Sequence, residues 1–160
     1  MSLPLYLTET LERTKKIATL NVALHDNMVP IVISLNDDTK RGTIAALTCD
    51  DDELQDALRE LLEYQQPTAY IFVGEVWVTP FVEACAAVGG RVTELPLDDR
   101  EEVVQLIAVE RGNPDNQTFV ATIVNREDGS RYLGEWRCIV SEWGPNILEP
   151  DAPPFFITEW

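Results

Sequence analysis

The chain holds one histidine, three cysteines and twelve Lys or Arg in 160 residues, against 28 Asp and Glu. Each scarcity closes off a class of function. With His25 alone, a multi-histidine metal site cannot be built from this chain, and the usual general base is missing, so catalysis would fall to carboxylates. His25 is expected at the C-terminal end of the first helix, where a cation is favoured. Cys49, Cys85 and Cys138 are odd in number and far apart, with no CxxC pair and no neighbouring histidine. They point to neither a disulfide framework nor a zinc site and are expected as reduced, buried thiols.

No apolar run approaches the ~20 residues of a membrane-spanning helix; the longest, Tyr70 to Val78, is broken by Glu75. Met1-Ser2-Leu3-Pro4 lacks the basic and apolar character of a secretory signal, so the expected compartment is the cytoplasm and no membrane partner is expected. GxSxG, GxGxxG, the Walker loop and HExxH are all missing, and neither a cofactor nor a metal is expected.

The shortage of cations leaves a formal charge of -16. Nucleic-acid binders match phosphate charge with Lys and Arg, so direct binding of DNA or RNA is disfavoured. The same charge serves solubility, docking to a basic protein partner, or imitation of a nucleic acid's charge density.

What is present describes a folded domain. Hydrophobic residues make up 45% and charged residues 25%, and a chain of this length buries roughly 70% of its unfolded surface. Leu7, Leu11, Ile17, Ala18, Leu20 and Leu24 recur at helical steps behind Thr8 as N-cap. Val29 to Leu35 and Thr43 to Cys49 predict a hairpin, with Pro30 at an edge or at the strand's start. Asp50-Asp51-Asp52-Glu53 resembles an acidic metal cluster, but the Asp50/Glu53 spacing is that of a capping box ahead of Leu54, Ala57, Leu58, Leu61 and Leu62. Thr68 to Thr79 predicts a central strand and Phe81 to Val88 a short helix. Glu102–Arg111, Gln117–Arg126 and Arg131–Val140 predict an antiparallel meander. The fold class is therefore α+β, in the order α-β-β-α-β-α-β-β-β, with helices on a mixed, mainly antiparallel sheet of about five to six strands. Residues 1–140 form the domain. Residues 141–160, rich in proline and aromatics, form an arm packed on the same domain or on a partner subunit, the second case giving a homodimer.

Glu75 disobeys its surroundings. It is a carboxylate inside a strand that should be buried, on the same face as Trp77, and burial demands a partner. One reading pairs it with an arginine of a neighbouring strand, such as Arg137 or Arg100. The other places it in a cleft as acid, base or ligand beside Trp77, with a pKa raised by desolvation. Asp98-Asp99-Arg100-Glu101-Glu102 opens the next strand, either as a solvated turn or with Arg100 clamping Glu75. The candidate catalytic residues are thus Glu75, Asp99, Arg100 and Glu102, with Trp77 as the candidate binding residue.

Glu75-Val76-Trp77 on one strand, followed by Asp99-Arg100-Glu101-Glu102-Val103 opening the next, resembles a family of uncharacterised bacterial and phage proteins, over the stretch from Ala69 to Arg126. The resemblance implies a shared fold and a shared polar cluster, and it supplies no substrate.

Three functional expectations follow. The first is a non-catalytic acidic interaction or regulatory module that self-associates. The second is a carboxylate-based enzyme, with Mg²⁺ held by Glu75, Asp99 and Glu102 and a substrate stacked on Trp77. The third is a nucleic-acid mimic that binds a basic partner.

Overall fold

Ala69 to Val73 is apolar on both faces of an extended chain, so both faces need cover, and the fold supplies one helix to each. In the computed structural model, which describes residues 4–24, 29–39, 41–49, 53–113, 117–139 and 157–160, α1 (Leu5–Leu24) lies on one face and α2 (Leu54–Gln65) on the other. The strands are β1 (Ile31–Asn36), β2 (Arg41–Ala46), β3 (Ala69–Val78), β4 (Glu101–Glu110), β5 (Gln117–Asn125), β6 (Arg131–Leu133) and β7 (Arg137–Ile139). They form one sheet in the order β2-β1-β3-β4-β5-β6, with β7 also on β5. Every pairing among the described residues is antiparallel. This is the α+β fold expected, with β3 central. Between β3 and β4 the chain makes α3 (Val82–Ala87), stops at Gly89 and Gly90, both with positive φ, and takes two short 3-10 turns.

The helical stripe differs from the sequence reading. The buried residues of α1 are Leu7, Leu11, Thr14, Ala18 and Val22, while Ile17, Leu20 and Leu24 are exposed. At about 100° per residue the second set points away from the first. Leu7, Leu11, Ala18 and Val22 meet Ile71, Val73, Val104 and Leu106 in one cluster. Nor is Thr8 an N-cap: the helix starts at Leu5, and the Thr8 hydroxyl donates to the Pro4 carbonyl. His25 and the Asp50 end of the proposed capping box lie outside the described residues; Glu53 makes no side-chain cap bond to α2.

Pro30 precedes β1, where it needs no N–H, and its carbonyl accepts the Leu47 N–H at 2.8 Å. Of the thiols, Cys85 is buried, Cys49 is half-buried and Cys138 is exposed. The expectation of buried thiols therefore holds for Cys85 alone. No helix among the described residues is long and apolar enough to cross a membrane.

β6 and β7 are one strand broken by a bulge. Leu133 lies opposite Ile123 and Arg137 opposite Val120. Gly134, Glu135 and Trp136 therefore face only Ala121 and Thr122, and the Gly134 N–H donates to the Thr122 carbonyl. One residue too many on this side reverses the alternation of side chains between the two strands.

Ile157–Trp160 packs on its own chain. Ile157 is 3% exposed, in the cluster of Leu58, Leu62, Tyr70 and Phe72 beneath α2. The Tyr70 hydroxyl donates to the Ile157 carbonyl at 2.9 Å, and burial pushes its pKa upward. Trp160 stands edge-on to Tyr70 at 5.5 Å and donates its indole N–H to the Pro67 carbonyl at 3.0 Å. The rest of the C-terminal arm, 141–156, lies outside the described residues. Replacing Ile157 by Ala is expected to cost about 2–4 kcal/mol of stability in urea denaturation, and Tyr70→Phe about 1 kcal/mol. A loss near zero for Ile157→Ala would mean the last residues are not part of the core.

Candidate functional site

β3 and β4 pair over their whole length, from Ala69 opposite Glu110 to Val78 opposite Glu101. The helices cover only part of that ladder. β3 is buried from Ala69 to Gly74 and half-buried from Glu75 to Val78; Glu101 and Glu102 opposite are half-buried too. It is at this half-buried end that the sequence becomes charged, and the carboxylates there are met by cationic and hydroxyl partners.

On the α1 face, Glu75, Trp77 and Glu102 come together. Trp77 lies opposite Glu102 in the ladder. The partner of Glu75 is Arg131: Nη2 donates to Oε1 at 2.6 Å, and both side chains are 11% exposed. Three strand spacings would separate β3 from β6 by about 14 Å in a flat sheet, so the contact requires the sheet to curl and a long side chain to reach across. Arg100 lies over Trp77, with its guanidinium carbon 4.4 Å from the ring centroid, and donates to the Thr93 carbonyl at 2.9 Å.

Glu102 binds its proton more tightly than an ordinary glutamic acid. Burial is the largest cause, followed by the charge of Glu75 and a hydrogen bond between the two carboxyl groups; Arg131 and Arg100 pull the other way. The two carboxyl groups thus sit close together on one face, beside the guanidinium groups of Arg131 and Arg100.

The opposite face carries a second cluster at the same end. Arg137 Nη2 donates to Glu101 Oε1 at 3.1 Å, and the Thr122 hydroxyl donates to the same carboxylate. Adjacent Glu101 and Glu102 point to opposite faces by strand alternation, and the segment 131–137 supplies an arginine to each face, Arg131 to Glu75 and Arg137 to Glu101. An unbroken strand would put Arg131 and Arg137 on one face; the bulge at 134–136 separates them. Of the two arginines suggested by the sequence, Arg137 lies on the opposite face from Glu75, and Arg100 lies on Trp77.

Asp99, in the last 3-10 turn, enters through its backbone, whose carbonyl accepts the Thr79 hydroxyl at 2.6 Å. Sequence reasoning missed Arg131, and Glu101 with Thr122 and Arg137 as a separate group. The only earlier signal for Arg131 was its place beside the Asp128-Gly129 turn, which starts a strand. Among the described residues no three His, Cys, Asp or Glu side chains converge as a metal site. Two open depressions, of about 190 and 340 Å³, lie elsewhere: one beside Arg41, Thr43, Gln65 and Pro67, the other beside Tyr6, Thr68, Glu110 and Arg111.

No protein-family model, no curated protein and no solved structure matches this chain. The resemblance drawn on Glu75–Trp77 and Asp99–Val103 rests on those residues alone.

Two outcomes are expected at this site. Arg131→Ala leaves two carboxyl groups without their nearest cation and should cost about 3 kcal/mol in chemical denaturation, whereas Glu75→Leu combined with Arg131→Met should recover most of it. The pH dependence of Glu102 has a definite sign. Because its folded pKa is raised, its contribution to stability is complete below the ordinary glutamic-acid range and is lost as pH rises through the raised value. Glu102→Gln should therefore be more stable than the parent at neutral pH, by less than about 1 kcal/mol given solvent screening, with the difference vanishing toward about pH 4. A constant difference across that range would deny the raised pKa.

Proposed function

We propose that this protein is a non-catalytic, acidic interaction or regulatory module that associates with itself and docks a basic protein partner. The observation that carries the reading is the internal closure of the charged cluster. Glu75 is held by Arg131, and Arg100 lies on Trp77 and donates to a backbone carbonyl. Side chains that an enzyme would turn toward a substrate are turned toward one another. The charge of -16 adds attraction for a cationic partner, effective over a Debye length of about 8 Å at physiological salt.

A second reading, the carboxylate-based enzyme, is favoured by one observation: Glu102 lies close to Glu75 and its pKa is pushed upward by burial and by that neighbouring charge, and two carboxyl groups in unlike environments are the pattern of general acid–base chemistry. In it Glu102 is the acid, Glu75 the base and Trp77 the platform for substrate.

Sedimentation velocity from micromolar to millimolar protein separates the two, together with calorimetric titration with Mg²⁺. The first reading expects reversible self-association that Glu102→Gln leaves unchanged, and no heat of Mg²⁺ binding. Binding heat that disappears in Glu102→Gln would move the assignment to the second reading. A monomer throughout the concentration range would remove self-association from the first.

A further inference from the structure

We infer that the outer edge of β2 is the self-association surface, and that its occupant is β2 of a second copy, paired antiparallel about a two-fold axis at Ile44. The inference rests on the self-association proposed above and adds the place and the register.

The two edges of the sheet are treated differently. On one side β6 and β7 are three residues each, carry Arg131 and Arg137, and are separated by the bulge, all features that discourage a further strand. β2 on the other side is six residues long and exposed at five of them. No proline, carboxylate or lysine interrupts Gly42-Thr43-Ile44-Ala45-Ala46, and among the described residues no strand pairs with its outer side.

Register decides which backbone groups are free to pair. Leu47 donates to the Pro30 carbonyl, and the β1–β2 register continues that pairing through Val32 opposite Ala45 and Ser34 opposite Thr43. Antiparallel ladders alternate. The N–H and C=O groups of Ala45, Thr43 and Arg41 therefore face β1, and those of Gly42, Ile44 and Ala46 face outward. The outward set is symmetric about Ile44. An antiparallel copy with Ile44 opposite Ile44 also places Gly42 opposite Ala46 in both directions, so every outward group finds a partner. The Ile44 side chain, 68% exposed and on the α1 face by its pairing with Ile33, then packs against its counterpart.

Charge argues for a second copy over other occupants. Two chains of charge -16 repel almost everywhere, yet Thr39 to Cys49 contains no Asp or Glu and includes Arg41. The edge is thus a place where like copies meet without opposing carboxylates, and added salt should strengthen the contact by screening the remainder.

The test combines sedimentation velocity with amide hydrogen exchange on the full chain and on Ile44→Lys and Ile44→Pro. Both substitutions alter an exposed position whose N–H faces outward, and circular dichroism confirms that each variant is folded. Expected are a parent dimer favoured by salt, amides of Gly42, Ile44 and Ala46 whose protection rises with protein concentration, and at least tenfold weaker association in both variants. A dimer that both variants leave intact would overturn the edge assignment while self-association stands. A monomer at millimolar protein would overturn both. Protection of those amides that does not depend on concentration would overturn the inference in favour of an edge covered by the chain's own residues. Association only with an unlike polypeptide would replace the second copy by a heterologous strand.

Discussion

The antiparallel pairing of β3 with β4 is the constraint from which the rest follows. One half of this ladder is apolar on both faces and calls for a helix on each side. The other half is half-buried and carries Glu75, Trp77, Glu101 and Glu102. Core and polar cluster are successive stretches of the same two strands, and the period-two alternation that sorts Ile71 from Phe72 also sorts Glu102 from Glu101.

Charge on those strands has to be answered, and a single return segment does so. Arg131 and Arg137 lie six residues apart, which in a regular strand is the same face. The extra residue at 134–136 shifts the phase between them and gives each face one cation. The bulge thus works as a device of electrostatics as well as of shape: it shortens the edge strands, turns them from further pairing and distributes two guanidinium groups across a sheet. Around Glu75 the outcome is a nearly buried ion pair with the carboxyl group of Glu102 close beside it. Such a group contributes specificity of arrangement more than net stability, because its desolvation offsets much of its attraction.

Much of the fold was legible in local signals. Alternation and turn residues place β3, β4 and β5 within a residue or two, and the apolar steps from Leu54 place α2, because these segments obey one period throughout. The α1 stripe was read less well: its sequence is apolar on more than one side, so Ile17, Leu20 and Leu24 fit a helical period as readily as Ala18 and Val22 do. The prominence of Glu75 was legible because a carboxylate within an apolar strand is conspicuous. Its partner was not, since the choice among Arg100, Arg131 and Arg137 depends on strand order, sheet curl and the phase of a bulge, none of which is a local property.

By itself, the sequence determined composition-level properties and local periods: an excess of acidic residues, an α+β order of elements, a central strand interrupted by a carboxylate, and a C-terminal stretch rich in proline and aromatics. Only the tertiary structure decided which arginine meets which glutamate, which side of α1 is buried, where Ile157 and Trp160 lodge, and which edge of the sheet has no further strand among the described residues. Local propensity is written residue by residue along the chain. Those other choices turn on the distance between strands that are remote in sequence, and a single added residue at 134–136 is enough to reverse them.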